Sequence, residues 1–241
     1  MPKSKKLKLP NSDKATQSNH LIEASYKLSI AAKRVFLMLL GEVHPAMKSP
    51  PTNKFRIYAK DYEEKSGMKG KRAYDDIKNG AKELQKSTII IRNEIDRTTE
   101  HISFLDYVKY HDNEGWLEAS FPIWIWPHIT KLVAIGYTTI ETREALRFSR
   151  FYSIRLYELM MQFQRKNERY ILLSDLKKVF QVENHQYKRF IDFKRRIIEP
   201  SIKEIESKTD WVIDWEPIKT GRKVTSISFI FEKQKQRELF K

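Results

Sequence analysis

The sequence predicts an α+β fold in which one small module is built twice, and three observations carry that expectation. Each half of the 241-residue chain runs from an apolar-striped helix through a short strand, a short helix and a longer helix to alternating strands. That is the element order of a winged helix-turn-helix. Asp61 and Asp175 in the short helices stand 114 positions apart, and Tyr74 and Tyr187 in the longer ones 113, a near-constant offset expected of a pseudo-repeat. Lastly, 46 Lys and Arg against 31 Asp and Glu give a net charge of +15, which calls for a polyanionic partner.

Composition narrows the class. A hydrophobic content of 40% with 12% aromatics belongs to a folded chain, long enough for two small cores. With no cysteine, disulfides, thiolate zinc sites and cysteine nucleophiles are excluded. No apolar run approaches the roughly 18 residues of a membrane span. Residues 1–10 lack the apolar core of a signal peptide, so a cytoplasmic protein without a membrane partner is expected.

Residues 1–18 read as a flexible basic tail, residues 19–140 as an N-terminal winged helix and 141–241 as a C-terminal one. Ser29 is a good cap for a helix carrying Ile30, Val35, Phe36, Leu39 and Leu40 on one side. Three prolines make residues 44–51 a loop, and the alternation of residues 55–58 predicts a strand. A helix over 61–66 stops at Gly67; a second, after Gly70, carries Tyr74, Ile77, Ala81 and Leu84. Residues 88–91, 102–108 and 115–121 read as successive antiparallel strands, and residues 122–135 as an aromatic-rich turn and helix around Pro127. The second copy opens at Ser149 with an amphipathic helix over 151–163, followed by a strand over 170–173 and a capped helix over 174–180.

Its longer helix holds the chemistry. Over residues 187–198, Phe190, Phe193 and Ile197, continued by Ile202 and Ile205, form one apolar side. Lys188, Arg189, Lys194, Arg195 and Arg196 crowd the rest beside Asp192. Such a helix is anchored by one face and presents cations with the other, as a helix entering a DNA major groove does; a solvated charged face is the plainer reading. Pro200 falls inside the continuation, so a kink or separate packing is expected beyond it. Residues 211–216 and 225–231 alternate around Lys219, Gly221, Arg222 and Lys223, a cationic hairpin tip. In the first half Lys69, Lys71, Arg72 and Lys78 surround the matching helix, diluted by Asp75, Asp76 and Glu83.

Residues 150–159, 187–196, 200–205 and 221–229 resemble the initiator replication proteins of theta-replicating, iteron-containing plasmids, and the likeness extends over roughly residues 19–233. The resemblance implies two winged-helix domains, the C-terminal one reading a direct repeat of double-stranded origin DNA. The N-terminal one is expected to contact neighbouring DNA and to form a homodimer, with residues 88–91 and 102–108 as its edge. Monomers would open the origin and recruit the host replication initiator and helicase machinery of a bacterium, and dimers would repress their own promoter. The DNA-binding set is then Lys188, Arg189, Lys194, Arg195, Arg196, Arg222 and Lys223, with Lys71, Arg72 and Lys78 on the backbone.

An enzymatic alternative finds little support. The six histidines stand singly, without the His-hydrophobic-His pair of a rolling-circle initiator, and residues 67–72 lack the spacing and hydroxyl of a nucleotide-binding loop. No catalytic residue, cofactor or metal is expected. Tyr152, Tyr157, Phe163, Trp116, Trp124 and Trp126 fit core positions better than stacking platforms. Among binding functions the runner-up is a winged-helix transcriptional repressor without initiator activity.

Overall fold

Two three-stranded antiparallel sheets of the same topology organise the chain. The computed structural model describes residues 13–44, 54–93, 96–130, 132–134, 136–183 and 185–234. The first sheet, ordered β2-β6-β5, joins Lys54–Tyr58, Trp116–Ser120 and Tyr107–His111; the second, β8-β10-β9, joins Glu168–Leu172, Lys223–Lys233 and Trp211–Thr220. Around the first lie α2 (Ile30–Gly41), α3 (Ala59–Ser66) and α4 (Lys71–Lys86). Around the second lie α6 (Phe151–Met161), α7 (Leu173–Val179) and a helix through residues 190–208.

Local chemistry explains most of these bounds. The Ser29 hydroxyl accepts from the Ala32 N–H at 3.1 Å and starts α2. Gly67, at φ 76°, ends α3 in the left-handed region. Helices α2 and α4 cross at Gly80, where a Cβ would lie 2.8 Å from the Ala31 carbonyl carbon.

Several expectations are corrected. The tail does not reach residue 18: Lys14–Ser18 is a strand, β1, paired with β7 (Tyr137–Glu141), and its last four residues are buried. Residues 1–12 lie outside the described residues, as do residues 45–51 of the expected proline loop. Short helices α1 (Asn19–Glu23) and α5 (Thr142–Arg147) also had no counterpart among the expected elements. The stretch 102–108 is not one strand. It ends β4 (Thr98–Ser103), turns inward through buried Phe104 and Leu105, and begins β5 in another sheet. Strands β3 (Thr88–Asn93) and β4 thus form a separate two-stranded sheet inserted between α4 and the wing β5–β6.

Residues 123–128 and 132–134 are 3-10 turns, not an α-helix. Neither Ser149 nor Ser174 caps: α6 and α7 have no side-chain cap, and Ser149 instead donates to Glu204. Helix α6 is not amphipathic, because residues 153–161 are all buried.

The repeat also needs realignment. Strands β2 and β8, and helices α3 and α7, each start 114 positions apart (54 and 168, 59 and 173). The longer helices start at 71 and 190 because the second copy has a longer connection, residues 180–189. Tyr187 sits in that connection at φ 48° and is no equivalent of Tyr74.

Candidate nucleic-acid interface

The helix through residues 190–208 is assembled from α8 (Phe190–Phe193), a π turn (Lys194–Ile198) and α9 (Glu199–Lys208). The Glu199 N–H donates to the Lys194 carbonyl five residues back. Pro200 explains the wide turn: it has no N–H, and its ring would strike the carbonyl four residues earlier in a regular helix. The chain therefore stays helical past Pro200 and is not separately packed. Phe193, Ile198, Ile202 and Ile205 are buried, along with Ile197, and the five-residue step from Phe193 to Ile198 is the π turn itself.

The turn displays Arg195 and Arg196, both exposed, and among the described residues neither has an ion-pair partner. Other cations of the set are placed differently. Lys188 and Arg189 precede the first helical residue; Arg189 lies 3.4 Å from Asp192. Lys194 is half-buried, 3.4 Å from Glu199 and 5.3 Å from the centre of the Trp215 ring. At the tip of the β9–β10 hairpin Gly221 takes φ 61°, which a two-residue loop requires, and Arg222 and Lys223 are exposed beside it.

In the first unit Lys71 and Arg72 are exposed at the start of α4, after exposed Lys69. Lys78 is not part of that group. It reaches the wing turn, 2.9 Å from Asp112, which also accepts from the Tyr74 hydroxyl at 2.9 Å. The Lys78 and Tyr74 hydrogen bonds hold the Asp112 carboxyl below its usual range.

Sequence reasoning missed a buried ionic network that joins α2 to α6. Lys33 of α2 and Glu158 of α6 approach to 2.7 Å, and Arg155 Nη1 lies 2.8 Å from the other Glu158 oxygen, all three side chains fully buried. Gln17 donates to Glu158 at 2.8 Å, and Lys33 and Arg155 both donate to the Tyr26 hydroxyl. Arg155 also bonds the Ile22 and Ala24 carbonyls. Burial pushes Lys33 down to about 8. Burial also raises Glu158, but Lys33 and Arg155 outweigh it and hold the carboxyl below its ordinary value. The signal was present as charges on an otherwise apolar α6, but apart from their pairing with each other their partners lie more than a hundred positions away.

Of the six aromatic residues, Trp116, Trp126 and Tyr157 are buried and Tyr152 and Phe163 half-buried. Trp124 departs from the core expectation at 74% exposed. Among the described residues, no group of three His, Cys, Asp or Glu side chains could hold a metal ion. Nor is any helix there long and apolar enough to cross a membrane.

Residues 14–161 match the family described as initiator replication protein, WH1, and residues 172–231 match initiator Rep protein, WH2. The chain belongs to this initiator replication family. It is 26% identical to the PI protein of Escherichia coli over 91% of its own length and 83% of the relative's. A replication initiation protein of the same species is 24% identical over 92% and 71%. Among solved structures, the Pi initiator protein in complex with iteron DNA matches with a TM-score of 0.78 and 25% identity, covering 92% of this chain and 97% of that one. The family's WH1 and WH2 are the two winged-helix units described above, and α6 falls inside the WH1 match although it packs on α9 of the second.

Proposed function

We propose that this initiator replication protein binds iteron repeats in double-stranded DNA at a plasmid origin, promotes opening there and brings in the host initiator and helicase machinery. The observation that carries the reading is the likeness to the Pi initiator protein in its iteron complex, which spans both winged-helix units. Family membership favours an initiator over a repressor without initiator activity.

In this reading Arg195 and Arg196 read base edges, since guanidinium pairs bidentately with guanine O6 and N7. Lys188, Arg189, Arg222 and Lys223 hold phosphate beside them, and Lys194 steadies the turn against Trp215. Lys71 and Arg72 hold phosphate at a neighbouring groove, while Lys78 contributes its field from the wing turn. The protein acts by binding in a bacterial cytoplasm. A homodimer through the N-terminal unit represses its promoter; β4 supports this role, its outer edge being unpaired among the described residues.

The test is a protection footprint on DNA flanking the gene, followed by supply of the protein in trans to an origin fragment lacking its initiator gene. Protected direct repeats and a maintained plasmid are expected. Protection of the promoter alone, with no maintenance, would leave the repressor.

A further inference from the structure

The two sheets correspond strand for strand, and their inner faces are apolar apart from the buried Arg169 of β8. Strands β2 and β8 have five residues each and run directly into α3 and α7. The outer faces are unlike. On the first sheet the outward cross-strand rows are Lys54–Ser120–Tyr107 and Arg56–Glu118–Lys109, three cations around one carboxylate. Aromatic rings lie among them: Arg56 sits 4.6 Å from the Trp116 ring centre and Lys54 4.4 Å from that of Tyr107.

On the second sheet the corresponding rows are Glu168–Ile230–Asp214 and Tyr170–Ser228–Glu216. No outward position of 168–172, 212–218 or 226–232 is Lys or Arg, although the chain carries a net charge of +15. Tyr170 and Ile230 are 60% and 55% exposed, and Leu172 is exposed beside them. The register sets Glu168 where the first sheet has Lys54, and Glu216 where it has Lys109. At these two positions the charge is inverted, and Arg56 is matched by the neutral Tyr170.

An exposed apolar patch rimmed by carboxylates marks a binding face, and its chemical complement lies on the same chain. We propose that the outer face of the second sheet docks on the outer face of the first sheet of another copy, in a head-to-tail contact. Each face measures roughly 15 by 17 Å, far below the roughly 800 Å² per partner of a stable complex. Free copies therefore associate weakly. Copies held on neighbouring repeats meet at an effective concentration on the order of millimolar, where a small contact suffices. This setting rests on the iteron reading above. A head-to-tail contact leaves one complementary face free on each end copy, so copies set in a row on direct repeats can each meet the next.

The full chain is titrated onto DNA carrying one repeat and onto DNA carrying two. The wild type is expected to fill the second repeat about tenfold more tightly than the first. Glu168→Lys with Glu216→Lys, and separately Lys54→Glu with Lys109→Glu, should each bring that ratio to one; all four changes together should restore it. Affinity for one repeat should rise in the first pair and fall in the second with net charge, so a loss of cooperativity common to both cannot come from net charge. An unchanged ratio in either pair, no recovery in the folded four-change variant, or a wild type that binds one repeat yet fills two independently would overturn the contact. Failure to bind even one repeat would instead overturn the DNA reading on which it rests.

Discussion

In the first winged-helix unit two of the three carboxylates of α4 fasten the helix to its neighbours, while Asp75 is exposed. Asp76 accepts from the Tyr62 hydroxyl at 3.0 Å, and Glu83 accepts from the Ser29 N–H at 2.7 Å. Even the mid-helix cation, Lys78, is tied to the wing turn. In the second unit the acids sit at the two ends of the π turn, against Arg189 and Lys194, and leave Arg195 and Arg196 displayed between them. Both helices are highly charged in sequence. One uses charge to fasten itself; the other fastens itself with Phe193, Ile198, Ile202 and Ile205 and keeps its charge for a ligand.

The buried ionic network that ties α6 to α2 gives the largest expected effect. Glu158→Ala leaves Lys33 and Arg155 buried without their anion, which should cost about 3–5 kcal/mol in urea unfolding. Two separated transitions would show that the network holds the units together. Next, Arg195→Ala with Arg196→Ala should lose about 1–3 kcal/mol of base discrimination per arginine, with the circular dichroism spectrum intact. Lys71→Ala with Arg72→Ala should instead weaken all sequences alike and lower the salt slope by about one for each phosphate no longer neutralised. If the two pairs behaved the same way, the contrast between displayed and fastening charge would fail.

Smaller effects separate the two units. Gly80→Ala forces α2 and α4 apart in the first unit and should cost about 1–3 kcal/mol, less up to about 1 kcal/mol of helix propensity gained. In the second unit Glu204 is held at about 2 by hydrogen bonds from Lys208 and Ser149 that outweigh its burial. Its folded value lies below the ordinary carboxylate value, so its contribution is complete above about pH 4.5 and lost as the pH falls toward 2. Glu204→Gln should be less stable at neutral pH and should show a shallower acid-unfolding curve.

Much of this was legible because its cause is local. The Ser29 cap, the Gly67 stop, the alternation of β2 and the glycine tip of the last hairpin need only a few neighbours. What was not legible depends on residues far apart. Strand β1 is polar by sequence, and its Thr16 and Gln17 become buried only because Thr139 and Glu158 receive them. Alternation breaks at the apolar pair Phe104–Leu105, but such a pair does not by itself say that the chain passes there from one sheet to another. The exposed cations were readable as a set, but Lys78 and Lys194 could be told apart from the others only once Asp112 and Trp215 were in place.

The π turn has a consequence for length. A wide turn takes in one more residue than an α turn while the segments on either side keep their faces in line. The anchored side of the helix thus does not register how many residues the displayed side holds at that point. Deletion of one residue from 194–198 would be felt first through Pro200, whose ring would then meet a carbonyl at about 3 kcal/mol. The number of side chains offered to a ligand, and the phase of the helix in its own core, are therefore set separately, and Pro200 is what links them.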